Sequence, residues 1–340
     1  RDFLLSEENQ HSEPGYRLPP YSPDLECDWL WAYSFKHDGP VLVPQQFCFY
    51  SGGLTPRDER YVIETSNGCA LGGAYEEAIF HGLLELIERD AYMTRWHVKG
   101  SPQRIELNDP AMPQVARLHA RATAEGFELY AFAIGIEIAV PTVLAMIIDP
   151  RDGASVASYC ASGANPHAES AIMGALVEVC SSIGVYQRQF GKERERATEL
   201  LNDGSEAQDM RDHVLLYSHP EAVERLDFLD RDMPAVRASD IFSEQEDRWK
   251  SDDLTAELHA LVTEVRKVAS DVLVVDQTSS ILEPHNLHCV KVLAPGMHPI
   301  TFGHQLRRLS EDRLQSARES LKQSEGRVSL TRNPHPHNFP

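Results

Sequence analysis

Between Ile172 and Val185 the chain carries a single charged residue, Glu178, among apolar and small side chains. A helix that is apolar all round needs cover on every side, so this run predicts the central helix, about 168–190, of a layered domain. A lone carboxylate buried there costs several kcal/mol unless it meets a cation, a metal or a proton. Glu178 is therefore expected to have a partner, either in a structural ion pair or as one ligand of a metal shared with other acids. No uncharged apolar run reaches the roughly 18 residues of a membrane span, so no membrane partner is expected.

A second long helical pattern covers about 74–96. On a 3.6-residue period His81, Glu85 and Glu88 share one face, with Leu83, Leu84, Leu86 and Ile87 on the other side. Such a stripe is either a solvated acidic face or a pair of carboxylates for a hard cation such as Mg²⁺, which takes oxygen ligands and phosphate oxygens. Strand patterns fall at 29–35, 41–50, 127–134, 141–149, 154–160, 271–276 and 287–293. Further helices are expected at 114–125, 254–269 and 310–322, and 191–253 has no clear pattern. The alternation predicts a mixed α/β (α+β) fold. Residues 1–26, polar and Pro-rich, read as an extended arm, 27–322 as the main domain, and 323–340 as a Pro-rich tail.

Charge narrows the partners. Lys+Arg number 32 against Asp+Glu 52, a formal charge of −20, which argues against nucleic acid. A hydrophobic content of 42% can support a core and argues against disorder. The first residues contain no apolar signal segment, and the chain opens on Arg1, so a trimmed chain or a piece of a longer one is expected. The 6 cysteines form no C-x-x-C pair and no zinc spacing, which suits reduced thiols in a cytoplasmic protein.

Common catalytic motifs are absent: no Walker A loop, no G-x-G-x-x-G, no H-E-x-x-H and no G-x-S-x-G. Two loops do lead into the acid-bearing helices. Ser66-Asn67-Gly68 precedes the first, and Ser162 to His167 precedes the second, with Glu169 in its first turn. Small residues before a helix N-terminus suit an anion or a ribose hydroxyl, although such loops also cap helices of no special function. Arg307-Arg308 reads as a solvated surface pair or as a cation source for phosphate.

Ser66-Asn67-Gly68-Cys69-Ala70-Leu71-Gly72, with Glu77-Ala78-Ile79 and Leu84-Glu85-Leu86-Ile87-Glu88-Arg89-Asp90-Ala91, closely resembles the core signature of the YcaO family. The resemblance continues in order through Val41 to Gln45, Ser162 with Glu169, Ala175 to Glu178, Asp212-His213, Asp276-Gln277-Thr278 and Pro295-Gly296, so that it covers about 25–340. The tail, with Pro334, Pro336 and Pro340, is similar to that of members that make azolines on peptides. Two positions depart from the pattern: Ser181 and Ser182 stand where a Gln often follows Glu178, and Asn338 where the tail usually has Pro.

The resemblance implies a YcaO-like ATP-binding fold that uses ATP and Mg²⁺. It implies Glu85, Glu88 and Glu178 as metal ligands. Ser66, Asn67, Ser162, Glu169, Arg89 and Arg307 would serve the nucleotide, and Arg308 and the terminal Pro340 would act in catalysis. The implied reaction is cyclodehydration of a ribosomal precursor peptide. A Cys, Ser or Thr side chain attacks the preceding amide carbonyl, ATP phosphorylates the resulting oxygen, and phosphate departs to leave a thiazoline or oxazoline. Implied partners are the peptide, a leader-binding protein of the E1-like or RRE-containing type, a flavin dehydrogenase and a second copy of the chain. Thioamide or macroamidine formation is the variant within the same machinery, and a non-catalytic scaffold is the competing class.

Overall fold

The protein is seen in a computed structural model that describes residues 18–50, 60–325 and 328–339. In chain order its strands and helices are β1 (Trp29–Ser34), β2 (Gly39–Pro44), β3 (Cys69–Gly72), α1 (Tyr75–Val98), α2 (Pro113–Ala124), β4 (Glu128–Ala133), β5 (Thr142–Ile148), β6 (Ser158–Ala164), α3 (Ala168–Phe190), α4 (Arg194–Asn202), α5 (Met210–Leu216), α6 (Ala238–Glu246), α7 (Leu254–Val265), β7 (Leu273–Asp276), β8 (His288–Leu293) and α8 (Glu311–Ser324). They fall into two compact units. One comprises Arg1–Asp90, Ser251–Thr301 and Gln305–Leu314; the other comprises Ala91–Lys250, Phe302–His304 and Gln315–Pro340.

The first unit is built on an antiparallel sheet of order β2-β1-β7-β8-β3. One face buries Ala32, Val43, Leu273, Val275 and Leu293 under Phe47, Cys48, Tyr61 and Val62. The first turns of α1 pack on the other face at β8, and two glycines permit it. A Cβ on Gly68, whose φ is +72°, would lie 2.3 Å from the Val292 carbonyl oxygen, and one on Gly82 would lie 2.7 Å from Val292 Cγ2. The expected strand 41–50 stops at Pro44, where Gln45–Phe47 forms a 3₁₀ turn that turns Phe47 and Cys48 into the core.

In the second unit β4-β5-β6 form an antiparallel sheet. β5 is buried along its whole length, as its uninterrupted apolar sequence requires. α3 lies on β5 and β6 so closely that a Cβ on Gly163 would meet the Ala171 carbonyl at 2.6 Å. By length and composition α3 could cross a membrane, but its Ala171, Ile172, Ala175, Leu176, Val179 and Ile183 are instead the core of this unit. The helix is not covered all round, however. Val177, Glu178, Ser181 and Val185 are exposed, so the expectation of a buried Glu178 carboxylate is corrected: the side chain stands on an open helix face. Ser162 is likewise not in a loop. It pairs with Leu144 inside β6 and is buried.

The charged stretch 191–253 holds α4, α5 and α6, whose short amphipathic patterns are diluted by charge. The tail, in the described residues, is threaded through the second unit. Trp96 Nε1 donates to the His335 carbonyl (3.1 Å), Tyr217 Oη to that of Pro336 (2.7 Å) and His213 Nδ1 to that of His337 (2.8 Å). Phe339 is 4% exposed, its ring 4.8 Å from that of Tyr92. Phe339→Ala is therefore expected to cost about 3 kcal/mol and to lower the melting temperature, since it empties a filled aromatic site. An unchanged melting curve would return this residue to the surface.

Burial lowers His213 to about 4, and burial likewise lowers His298 in the first unit to about 4 against the pull of Asp90. In the unfolded chain each imidazole has its ordinary pKa of 6.5. Below that pH the unfolded state takes up protons that the folded state refuses, so stability is full above pH 6.5 and falls as pH drops towards 4. Each imidazole contributes about 1.4 kcal/mol per pH unit within that window. Denaturant titrations across it should show a shallower slope for His213→Phe than for the parent chain.

Candidate functional site

The residues that enter β3, Glu64 to Gly68, meet the outer turns of α1 in a connected charged network of the first unit. Asn67 is its hub. Its Nδ2 donates to Glu64 Oε1 (3.0 Å) and to the Ile300 carbonyl (3.0 Å), while its Oδ1 accepts from Arg89 Nη1 (2.8 Å) and from the Ile300 amide (3.1 Å). One turn of α1 closes the network. Glu85 accepts the Gly68 N–H (2.6 Å) on one oxygen and pairs with Arg89 Nη2 (2.6 Å) on the other. The E-x-x-E-R spacing permits this because residues four apart stack on one helix face.

Behind Asn67, Glu64 accepts from Arg308 Nη1 at 2.8 Å, and Lys291 Nζ approaches it to 3.8 Å. Lys291, in the middle of β8, is 0% exposed and donates to the Thr65 carbonyl at 3.0 Å. The Arg308 guanidinium also lies over the Phe47 ring, 5.3 Å from its centre. A second buried pair supports the same loops. Asp90 takes Arg313 on both oxygens (3.1 and 2.6 Å) and the His298 N–H (2.8 Å).

Burial alone would raise Glu64, but Arg308, Lys291 and Asn67 outweigh it and hold the carboxyl at about 2. Glu85 moves the other way: burial raises it, and Arg89, the Gly68 amide and Lys291 only partly oppose the shift. Arg89 Nε and Arg308 Nε are buried with no hydrogen-bond acceptor among the described residues. Buried donors of this kind are normally met by an acceptor such as water or a phosphate oxygen. The cavity between Glu64, Asn67, Lys291 and Arg308 holds about 40 Å³, room for ordered water and not for a nucleoside. The donor set thus fits an anionic oxygen at the edge of the network, and Glu85, using one lone pair on each oxygen, keeps capacity to ligate a cation.

The structure brings together Asn67, Glu85, Arg89 and Arg308. Ser66 is exposed at the same turn, and Glu88 and Arg307 are half-buried in this unit. His81 is exposed, with its Nε2 3.9 Å from Glu77 rather than engaged with Glu85. Ser162, Glu169 and Glu178 belong to the second unit, Glu169 being exposed in the first turn of α3. Pro340 lies outside the described residues. Among the described residues no group of three or more His, Cys, Asp or Glu side chains is gathered as a metal would need. Glu64 and Lys291 escaped the sequence reading, although Lys291 is the one charge in the apolar run Val290 to Leu293, a signal of the same kind as Glu178.

Comparison with known proteins agrees with this architecture. A protein of Methanothermobacter thermautotrophicus is 26% identical over 298 residues, which are 84% of this chain and 70% of the relative. A protein of Rhizobium leguminosarum bv. trifolii, encoded in the tfuA 3′ region, is 32% identical over 166 residues, 45% of this chain and 38% of that one. Among solved structures, the heterocyclase TruD superposes with a TM-score of 0.70 at 20% identity, covering 98% of this chain and 44% of its own. YcaO from Methanopyrus kandleri, bound with AMPPCP and Mg²⁺, superposes with 0.62 at 20% identity, covering 92% and 73%. The chain thus spans less than half the length of the heterocyclase chain whose fold it shares. The family model described as YcaO cyclodehydratase, ATP- and Mg²⁺-binding, matches residues 1–298. With that match extending through β3, α1, α3 and β8, this chain of mixed α+β fold belongs to the YcaO family.

Proposed function

We propose that this chain is the ATP- and Mg²⁺-dependent component of a peptide cyclodehydratase that converts Cys, Ser or Thr of a ribosomal precursor peptide into thiazoline or oxazoline rings. The observation that carries the reading is the Asn67 network, in which an E-x-x-E-R helix presents Glu85 and Arg89, with an unmet buried N–H on each of Arg89 and Arg308, at the end of β3. It joins the family match over most of the chain.

ATP, with Mg²⁺ neutralising its phosphates, supplies the phosphoryl group that turns an amide oxygen into a leaving group. The chain's own residues do the positioning. In the first unit Glu85 and Glu88 would serve as cation ligands and Ser66, Asn67, Arg89 and Arg307 as nucleotide contacts; in the second, Glu178 would serve as a cation ligand and Ser162 and Glu169 as nucleotide contacts. Arg308 would stabilise charge that develops on the transferring phosphoryl oxygens, held in place by Glu64 and Phe47. The Pro-stiffened tail is fixed in the second unit by the carbonyls of His335 to His337, and Pro340, outside the described residues, would act in catalysis.

The raised Glu85 carboxyl carries a consequence for pH. A protonated carboxyl cannot ligate a cation, so Mg²⁺-dependent turnover should fall with acid earlier than a free glutamate would dictate. The partners in this reading are a leader-binding protein of the E1-like or RRE-containing type, a flavin dehydrogenase that oxidises the rings, and a second copy of the chain. The test is ATP-dependent loss of water from a precursor peptide; ATP turnover that leaves the peptide mass unchanged would sink the proposal.

A further inference from the structure

The β1–β2 hairpin shows an aromatic face that the rest of the described first unit leaves bare. β1 directs Trp29, Trp31 and Tyr33 to one side of the sheet, as alternate residues of a strand must be. They are 48%, 67% and 42% exposed, and Leu42, paired with Trp31, is 50% exposed. Tyr33 pairs with Pro40, which is also exposed, whereas Pro44 opposite Trp29 is buried. Further along the same face Tyr33 is registered with Val274, and Val274 with Val292, both buried. Cover therefore stops at β7, and the outer two strands present their apolar side to solvent. Two neighbouring exposed tryptophans in an ordered strand are not the scattered apolar exposure of an ordinary surface; a contiguous apolar patch rimmed by polar residues marks an interaction site.

The edge beyond it is closed to strand addition. β2 is the edge strand, and Pro40 and Pro44 each lack the N–H that a further strand would need. What docks must use the side-chain face. Charge then selects the occupant. From residue 18 to Pro44 the one lysine or arginine is Lys36, against Asp24, Glu26, Asp28 and Asp38, all exposed. Asp28 adjoins Trp29 at one end of the ladder, and Asp38 accepts the Tyr33 hydroxyl at the other. A second copy would bring the same acidic rim against this one, with −20 on each chain.

We infer that this face docks a separate protein partner whose surface offers apolar side chains alternating with or flanked by lysine and arginine. Aromatic anchors supply the affinity, and the acidic rim supplies orientation and rate. The inference goes beyond the catalytic reading and does not depend on it, since neither Trp29 nor Trp31 belongs to the Asn67 network.

The test is calorimetric titration of the intact chain with short synthetic peptides, one alternating leucine with lysine, one leucine with glutamate and one serine with lysine, beside Trp31→Ser. Light scattering of both proteins at rising concentration accompanies it. The leucine–lysine peptide should bind saturably and at least tenfold more tightly than either control. Trp31→Ser should weaken it at least tenfold while its melting temperature stays put, because the side chain is exposed. Trp31→Ser keeps the full charge, so undiminished binding to it would expose mere attraction to an acidic protein and overturn the inference. Equal binding of the control peptides would do the same. A dimer that Trp31→Ser dissociates would assign the face to a second copy, against the proposal.

Discussion

Lys291→Met is expected to lower stability by about 3–5 kcal/mol, because it leaves the buried Glu64 carboxylate with Arg308 as its remaining cation and strips the Thr65 carbonyl of its donor. Lys291→Met combined with Glu64→Gln should lose less than the sum of the two single losses, because the attraction between the two groups is counted once, although the double variant leaves Arg308 without its carboxylate. Denaturant unfolding of the two single variants and the double gives the coupling directly. Additive losses would show that the two groups do not share a network. The strand context sharpens the expectation: Lys291 sits between Val290 and Val292, both 0% exposed, and its ammonium is shut off from bulk solvent.

The largest effect on activity is expected from Glu178→Gln. Glu178 stands on the open face of α3, so its replacement should leave stability within about 0.5 kcal/mol. As a cation ligand in the proposed reaction its loss should cut turnover at least about 100-fold, or roughly 2.7 kcal/mol of transition-state stabilisation. Glu85→Gln makes a poorer test, because Glu85 also holds Arg89 and the Gly68 amide, and its loss disturbs the turn itself. Full turnover by a well-folded Glu178→Gln would remove that residue from the metal site.

The contrast between Glu178 and Lys291 shows what could be read in the sequence. Both are single charges in apolar runs, and the same reasoning predicts burial for each. It fails for Glu178 because a helix presents four sides: Ile172, Leu176, Val179 and Ile183 bury one stripe, while Val177 and Val185 lie exposed beside the acid. It would have succeeded for Lys291, since a strand between two neighbours, with both faces covered, offers a side chain no open direction. The long periodic elements α1 and α3 were legible to within a residue or two, as was β5. The helices within 191–253 were not, because each is short and its apolar stripe is interrupted by charge.

The site was legible where chemistry and local spacing coincide. Glu85 with Arg89 follows from a four-residue interval on one helix. Glu64 with Arg308, and Asp90 with Arg313, join residues more than 200 positions apart, and no local pattern encodes such pairs. Asn67 was visible as a turn residue before α1. Its use of both amide ends to tie Glu64, Arg89 and Ile300 together emerges only once β3 and α1 are side by side.

The central claim is that the chain activates a peptide amide at the expense of ATP. It is tested most directly by mass spectrometry of a leader-bearing precursor peptide with a Cys-, Ser- and Thr-rich core, incubated with the chain, the proposed leader-binding protein, ATP and Mg²⁺. The account predicts the loss of one water per ring formed, with one ADP and one phosphate released for each. No loss should occur without ATP or with Glu178→Gln. A peptide that keeps its mass while ATP is consumed, or one that loses water equally well without ATP, would contradict it.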